Sequence, residues 1–356
     1  MEVWLVSGAP GSWAIAHLEM PRDTPKLPSL RPHWRMLSAM LLGSVCQGLA
    51  GEYLTDEEYY TEFRDCREPE ILLEPAPEPD RFRMVHVVFA SSPGGFPGLM
   101  ASMLSLTRHL EAPGDCTLHV IVLESDLRRA RQLVACFRHE LSKLGLSPQP
   151  RVELYDLRWP PQRGAPLYAE LFRQNPFSYV RFHLAEYLPT APRALWIDID
   201  VILKSDVAPV YRMLMKHPIA AVPNPKPWGW EDFIHTIRLA DPLLTSYVHD
   251  QSLPTLSPGF TLIDLERWKS ENITRRLRDW TQTFHGIWFD YLPLVLQFQG
   301  GYDVLDPRWD VDALAALQRV PALCLQEAKL LHYSGSFKPW GKNKHRNAFV
   351  GLWEPY

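Results

Sequence analysis

The first half of the chain alternates apolar, strand-like runs with segments whose apolar residues recur at helical spacing. Residues 99–110 and 127–144 have the helical spacing. The strand-like runs are residues 84–90, 117–123 and 151–155. This order of strands and helices is typical of an α/β fold with a parallel, doubly wound sheet. Such sheets bind ligands beyond the carboxyl ends of their strands, where the small-residue loop 91–98 follows the first run.

A further apolar run, residues 195–203, contains two aspartates, Asp198 and Asp200. In an extended chain, residues two apart point the same way, so both carboxylates would face one point while Ile197 and Ile199 face the core. Two buried carboxylates repel each other unless a cation joins them, which favours a divalent metal site. A strand that ends in an acidic turn is the alternative that this short motif leaves open.

Composition excludes several classes of protein. The formal net charge is -4, and the chain has no basic stripe and no zinc-finger spacing, so we expect no nucleic-acid partner. No GxGxxG follows the first strand and no GK[ST] occurs, which excludes the dinucleotide fingerprint and the phosphate loop. A nucleotide would therefore be held by backbone groups and a metal.

The sequence predicts that the chain consists of three segments. Residues 1–50 form an extension in which residues 1–35 show no periodicity and residues 36–50 resemble a secretory leader, with Met20 or Met36 as possible starts. The apolar stretch is shorter than the ~20 residues of a membrane span, and a buried helix behind a tail is the alternative. Residues 51–80, which are acidic and proline-rich, are predicted to be a stalk or a surface arm, and residues 81–356 are predicted to be the folded domain.

The five cysteines and one sequon bear on the compartment. No CxxC pair occurs, so a zinc–thiolate site is not expected. If Cys46 leaves with a leader, the remaining four cysteines allow three disulfide pairings, and free buried thiols are equally compatible. Asn272-Ile273-Thr274, within a helix predicted over about 266–283, is a glycosylation acceptor only in a secreted chain.

Several ordered motifs resemble those of glycosyltransferase family 8, over about residues 81–353. They are Ser178–Phe182, Asp198-Ile199-Asp200, Pro258-Gly259, His332-Tyr333-Ser334-Gly335 and Lys338-Pro339-Trp340. The pattern HYxGxxKPW with an upstream DxD is specific, and animal glycosyltransferase 8 domain proteins and plant galacturonosyltransferase-like proteins are similar. The resemblance implies a single GT-A domain with a mostly parallel sheet. It also implies a retaining transferase that moves a hexose-type sugar from a UDP-sugar to an acceptor hydroxyl of a glycan, glycoprotein or polysaccharide.

The resemblance also implies roles for single residues. Asp198, Asp200 and His332 would be the metal ligands, and this mixed carboxylate–imidazole set suits Mn²⁺. Lys338 would contact the diphosphate, and Gly335 would give its backbone room to approach.

Further candidate contacts flank these motifs. Ser91, Ser92 and Arg181 are candidate contacts to the nucleotide, although Arg181 could instead brace a carboxylate or be a plain surface arginine. Asp290 is a candidate for holding hydroxyls of the donor sugar, with a helix N-cap as its alternative. The expected location is the Golgi or ER lumen, or outside the cell, while the sequence leaves the sugar, the acceptor and the oligomeric state open.

Departures from the family pattern keep two other functions in view. Ser257-Pro258-Gly259 stands where the family usually has Asn-Ala-Gly, Asp290-Tyr291 stands where it has Asp-Gln, and an acidic residue common in the first loop is replaced within 91–95. A non-catalytic protein that binds sugar nucleotides or glycans is one alternative. A phosphohydrolase with Asp198 as nucleophile is another, although no later GDxxxD motif occurs.

Overall fold

The computed structural model describes residues 3–7, 14–18, 70–159, 166–224, 244–250, 253–283 and 291–356. The chain divides into two compact units, residues 1–54 and 55–356. In the first unit, β1 (Val3–Ser7) pairs antiparallel with β2 (Ala14–Leu18). The prediction that residues 1–35 are without pattern is therefore wrong for these two strands, while the predicted leader at 36–50 lies outside the described residues.

A seven-stranded sheet is the centre of the second unit. Its strands, in chain order, are β3 (Val85–Ala90), β4 (Cys116–Val122), β5 (Arg151–Asp156), β6 (Arg193–Ile197), β8 (Ile219–Pro223), β9 (Leu256–Asp264) and β10 (Asp303–Val304). The spatial order is β10-β8-β9-β6-β3-β4-β5. All neighbours pair parallel except at β9, which runs antiparallel to both β6 and β8. The mostly parallel α/β sheet expected from the sequence is thus confirmed.

A small antiparallel pair lies outside this sheet. It joins β7 (Val201–Leu203), which follows the paired aspartates, to β11 (Leu330–His332). His332 lies opposite Val201 in the register. The pairing therefore brings together two motifs that are about 130 residues apart in the sequence.

Helices cover both faces of the sheet. The α-helices are α1 (Phe96–His109), α2 (Leu127–Lys143), α3 (Pro166–Gln174), α4 (Pro176–Tyr179), α5 (Leu184–Tyr187), α6 (Ala208–Tyr211), α7 (Leu265–Ser270), α8 (Ile273–Thr283), α9 (Leu292–Phe298), α10 (Ala322–Glu327) and α11 (Val350–Trp353). Helices α1 and α2 pack on the face formed by Val85, Val87 and Phe89, whereas α7, α8 and α9 pack on the face that includes Val88. The alternation of side chains along each strand supplies one apolar set for each face.

The helix predicted over about 266–283 is interrupted at the sequon. Asn272 lies between α7 and α8 with φ of 55°, a left-handed conformation that asparagine tolerates better than most residues. Its side chain is exposed, while Thr274 Oγ1 donates to the carbonyl oxygen of Phe182 at 2.7 Å. The break allows the chain to turn between two short helices that share one core.

Residues 70–80 pack on the domain predicted to begin at residue 81. The Ile71 amide donates to Asp306 Oδ2 at 2.8 Å, and the Ala76 amide donates to the Arg212 carbonyl oxygen at 2.8 Å. Pro75 forms an antiparallel bridge with Met213. Of the two readings of this acidic segment, the surface arm describes residues 70–80, while residues 51–69 lie outside the described part.

The described residues include three of the five cysteines. Cys116 is a buried free thiol, Cys136 is an exposed free thiol, and Cys324 is disulfide-bonded. Within the described ranges, no helix is both long and apolar enough to cross a bilayer.

Candidate metal and nucleotide site

The paired aspartates lie in a turn at the carboxyl end of β6. The strand ends at Ile197, so Asp198 to Asp200 do not continue it, and β7 begins only at Val201. The Asp198 amide donates to the Gly259 carbonyl oxygen at 2.8 Å, and the Asp200 carbonyl oxygen accepts from the Tyr333 amide at 2.8 Å. The expectation of one extended strand is therefore wrong here. It is the turn that directs both carboxylates towards the same region.

His332 completes a three-residue cluster with these aspartates. Its Nε2 lies 3.4 Å from Asp200 Oδ1, and one ligand atom from each of Asp198, Asp200 and His332 lies within 4.8 Å of the others. His332 and Asp200 are 5% and 8% exposed. Two carboxylates and an imidazole with this spacing fit a divalent cation. The structure thus brings together the three metal ligands that the resemblance implied.

The pKa values of the two aspartates move in opposite directions. Burial raises the pKa of Asp198, and the like charge of Asp200 adds to this rise, while Arg181 opposes it. Burial would also raise the pKa of Asp200, but His332 and Lys338 outweigh it and hold this pKa below its usual range. Asp198 is therefore the carboxylate that gains most from an added cation.

His332 is surrounded by carboxylates on both sides of its ring. Burial disfavours the imidazolium, but Asp312, Asp310 and Asp200 outweigh burial and raise the pKa of His332 well above its usual value. Because a metal ligand must be deprotonated, a bound cation would replace this proton. The site therefore holds a positive charge both without the metal, as the imidazolium of His332, and with it, as the cation.

Arg181 braces the site from beneath and is not a surface residue. It is 7% exposed, its guanidinium lies 4.9 Å over the Trp196 ring, and its Nη1 donates to the Pro258 carbonyl oxygen at 2.9 Å. Its Nη2 is 3.8 Å from Asp198 Oδ1, to which Trp196 Nε1 donates at 2.7 Å. The surface reading of Arg181 is wrong, and its contact in this structure is to a carboxylate.

Lys338 approaches the cluster from the other side of the cleft. Its Nζ pairs with the Asp200 carboxylate and donates to the Tyr333 carbonyl oxygen at 2.8 Å. The Trp340 ring packs against Gly98, where an added Cβ would lie 2.6 Å from a ring carbon. The lysine is thus held beside the candidate metal ligands by the loop that follows β11.

A cavity of about 230 Å³ joins most of the predicted site residues. Ser91 and Ser92, at the end of β3, line it together with Lys338. The other lining residues are Ala90, Phe177, Ser178, Arg181, Trp196, Asp198, Ile199, Asp200 and Trp340. Ile199 is only partly buried, and it packs against the apolar core on the Val87 face of the sheet, so the expectation that it faces the core is met in part. The cavity lies beyond the carboxyl ends of β3 and β6, where a doubly wound sheet binds ligands.

Two of the predicted site residues that the structure describes, His332 and Gly335, are not part of this cavity wall. Gly335 is exposed, with φ of 114°, and an added Cβ would lie 2.7 Å from the Ala315 carbonyl carbon. Glycine is therefore required there by backbone conformation and packing, and its contact to a diphosphate stays a prediction. Asp290 lies outside the described residues, so its role stays a prediction as well.

Sequence reasoning did not predict that Gly259 and Asp310 contact His332. A Cβ at Gly259 would lie 2.4 Å from His332 Cε1, and Asp310 Oδ1 lies 2.8 Å from His332 Nδ1. Asp310-Val311-Asp312 repeats the spacing of Asp198-Ile199-Asp200, and that repetition is the signal that points to it in the sequence.

Comparison with known proteins is consistent with this geometry. The family model described as glycosyl transferase family 8 matches residues 170–344. The chain is 26% identical over 288 residues to probable galacturonosyltransferase-like 9 of Arabidopsis thaliana, covering 77% of this chain and 72% of that protein. It is 26% identical over 205 residues to human glycosyltransferase 8 domain-containing protein 1, covering 51% of this chain and 54% of that protein. The chain thus spans only about half the length of the animal relatives.

Solved structures share the fold. Galactosyltransferase LgtC in complex with donor and acceptor sugar analogs has a TM-score of 0.53 at 16% identity, covering 76% of this chain and 94% of that one. The glycosyltransferase GlyE of Streptococcus pneumoniae has a TM-score of 0.51 at 17% identity, covering 76% of this chain and 59% of that one. At this identity the likeness concerns the fold alone. The matched segment and the relatives show that this chain is similar to glycosyltransferases of family 8, and the solved structures show that it shares their fold.

Proposed function

We propose that the protein is a retaining hexosyltransferase that uses a UDP-sugar as donor and requires Mn²⁺. The observation that carries this proposal is the cluster of Asp198, Asp200 and His332 beside a cavity into which Lys338 also reaches. Two carboxylates and one imidazole form a compact acidic set that a divalent cation would neutralise. These three residues would hold the ion, which when bound neutralises charge on the departing diphosphate as a Lewis acid.

Lys338 supplies a second positive charge at the same place. Its ammonium pairs with Asp200 and with a backbone carbonyl oxygen, so it is fixed in direction rather than free to rotate. A preorganised cation beside a leaving group stabilises the charge that develops there without reorganisation. We assign Lys338 to the diphosphate of the donor, in competition with its pairing to Asp200.

Arg181, Ser91 and Ser92 shape the base of the same cavity. The guanidinium of Arg181 is occupied by the Pro258 and Ser178 carbonyl oxygens and lies near Asp198. We therefore propose that it acts on the donor indirectly, by holding the Asp198 carboxylate and the β9 backbone. Ser91 and Ser92 border the cavity at the end of β3 and would contact the nucleotide.

The stereochemical course and the acceptor rest on the family. We propose attack by an acceptor hydroxyl of a glycan, glycoprotein or polysaccharide on the face from which UDP leaves. Both a front-side ion-pair route and a covalent intermediate are compatible with the described residues. Asp290 remains our proposed partner for the donor sugar hydroxyls.

We also propose that the protein works in the lumen of the secretory pathway, in the Golgi or ER, or after secretion. A disulfide at Cys324 suits an oxidising compartment. Asn272 is exposed at the junction of two helices, where a glycan would meet no packed neighbour. A mass decrease on treatment with an N-glycosidase, absent in Asn272→Gln, would support this location, and an unmodified Asn272 in protein from secretory cells would contradict it.

The test of function is donor cleavage. The purified full-length chain is incubated with a panel of UDP-sugars, with and without Mn²⁺, and released UDP is measured. We expect slow release from one donor that depends on Mn²⁺. Release of inorganic phosphate with trapped phosphate on Asp198 would instead identify a phosphohydrolase, and UDP–Mn²⁺ binding without turnover on any acceptor would indicate a binding role.

A further inference from the structure

The His332 ring is held through the nitrogen that faces away from the paired aspartates. Its Nε2 lies 3.4 Å from Asp200 Oδ1, and its Nδ1 lies 2.8 Å from Asp310 Oδ1. We infer that Asp310 is the positioning residue that keeps the Nδ1 proton on its own side and presents Nε2 to the cation. This inference rests on the proposed function, because it assumes a cation between Asp198, Asp200 and His332.

The contact between His332 and Asp310 determines which ring nitrogen carries the proton when the imidazole is neutral. A carboxylate accepts hydrogen bonds and cannot donate them, so His332 Nδ1 must donate to Asp310. A neutral imidazole with its proton on Nδ1 has its lone pair on Nε2, which is the atom nearest Asp200. A carboxylate behind a ligating histidine fixes the ring orientation and raises the basicity of the ligand.

Asp310 can fill this role because it is fully buried and held by its own turn. It is 0% exposed and is the last residue of the 3-10 helix Pro307–Asp310. The side chain of Asp306 accepts from the Arg308 amide at 2.8 Å and caps this turn. Trp309 stacks on Phe260 with ring centroids 5.2 Å apart. The carboxylate is thus carried by a rigid segment and not by a mobile loop.

The backbone ties the same segment to His332. The Val311 amide donates to the Leu330 carbonyl oxygen at 3.0 Å, and the His332 amide donates to the Val311 carbonyl oxygen at 2.9 Å. Val311 and Leu331 form a parallel bridge. Because these bonds flank both side chains, the separation of Asp310 and His332 is set by main-chain pairing.

Asp312 is a second carboxylate near the same nitrogen, but its environment differs. Its Oδ1 is 3.2 Å from His332 Nδ1, and that oxygen also accepts from the Ala313 amide at 2.6 Å and from the Ser334 hydroxyl. The Asp312 side chain is 20% exposed, whereas that of Asp310 is 0% exposed. The shorter and fully buried contact therefore belongs to Asp310, and Asp312 is the matched control.

The experiment measures Mn²⁺ binding to the full-length chain, by titration and by electron spin resonance of the bound ion. Nitrogen coupling to Mn²⁺ reports a directly bound imidazole and is a signature that simple loss of packing does not produce. The variants are Asp310→Leu, which removes the acceptor at similar size, Asp310→Asn, which keeps one acceptor oxygen, and Asp312→Asn. Thermal unfolding of each variant shows whether it is folded.

We expect Asp310→Leu to bind Mn²⁺ about 10–100-fold more weakly, with reduced nitrogen coupling. Asp310→Asn should retain the coupling and lose less affinity than Asp310→Leu, and Asp312→Asn should lose less affinity than Asp310→Asn. If Asp310→Leu does not fold, Asp310→Asn must still weaken binding more than Asp312→Asn does.

Wild-type affinity and coupling in Asp310→Leu, or equal losses in the Asp310→Asn and Asp312→Asn variants, would overturn the inference. Wild-type protein that binds Mn²⁺ without nitrogen coupling would overturn it as well, and would leave the carboxylate site standing. Wild-type protein that binds no Mn²⁺, alone or with UDP, would refute the proposed function itself.

Discussion

Gly259 allows the sharpest test of how closely the candidate site is packed. A Cβ at this position would lie 2.4 Å from His332 Cε1, which is about 1 Å inside the 3.4 Å at which ordinary van der Waals contact begins. It would also lie 3.1 Å from Nδ1 and 3.3 Å from Nε2, so the whole ring edge is affected. The ring cannot retreat freely, because its Nδ1 is held by Asp310 at 2.8 Å.

The substitution Gly259→Ala should therefore displace the imidazole by a large part of 1 Å or strain the turn beneath it. Overpacking a buried site costs about 1–3 kcal/mol of stability. A displacement of about 1 Å at a catalytic group can cost on the order of 100-fold in rate. We expect a lower unfolding temperature, and a decrease of about that size in Mn²⁺-dependent release of UDP.

The matched control is Gly351→Ala in α11, where an added Cβ meets no atom within 4 Å. This variant should keep its activity and be as stable as wild type or slightly more so, since alanine restricts the unfolded chain. The assay compares thermal unfolding and UDP release of both variants with wild type. Gly259→Ala protein with the stability and Mn²⁺ dependence of wild type would refute the packing argument.

The remaining predictions concern charge. Asp200→Ala or His332→Ala should abolish Mn²⁺-dependent UDP binding in a folded protein, measured by calorimetry, and binding that survives both changes would exclude this metal site. Lys338→Gln should reduce the rate of UDP release by roughly 100–1,000-fold, as loss of a preorganised group at a developing charge does. In the same release assay, Lys342→Gln, an exposed lysine beyond the cavity wall, should be unchanged, and equal losses in both variants would contradict the assignment. Burial lowers the pKa of His119 to about 4, so folding favours the neutral ring. The contribution of His119 to the free energy of unfolding should therefore be complete above pH 6.5 and decrease as the pH falls from 6.5 towards 4. Between pH 7.5 and pH 5 the free energy of unfolding measured with urea should decrease by about 2 kcal/mol for this reason. A His119→Gln variant whose free energy of unfolding depends on pH as in wild type would contradict the prediction.

The fold could be predicted largely from local pattern. Apolar runs such as residues 84–90 and the amphipathic stretch 127–144 have the periods of strand and helix, and their alternation requires a parallel sheet covered on both faces. The antiparallel direction of β9 was not predictable in this way. It depends on which strands become neighbours, and the apolar pattern of a strand buried on both faces is the same in either direction.

The candidate ligands could also be predicted, through two motifs with a strong family resemblance. Their arrangement could not, because it depends on a turn at Asp198–Asp200 and on the pairing of β7 with β11. Strand periodicity suggested an extended chain through both aspartates, and the turn overrides that local preference because it is hydrogen-bonded to Gly259 and Tyr333.

The sequence by itself thus determined the α/β class, the similarity to family 8 and the residue types at the site. Only the tertiary structure decided that Arg181 is a buried brace, that residues 70–80 pack on the domain, and that Asp310 and Gly259 bound the His332 ring. The physical reason is that class and chemistry follow from side-chain type and local period. The position of a ring nitrogen relative to a carboxylate depends instead on contacts between segments that are distant in the chain.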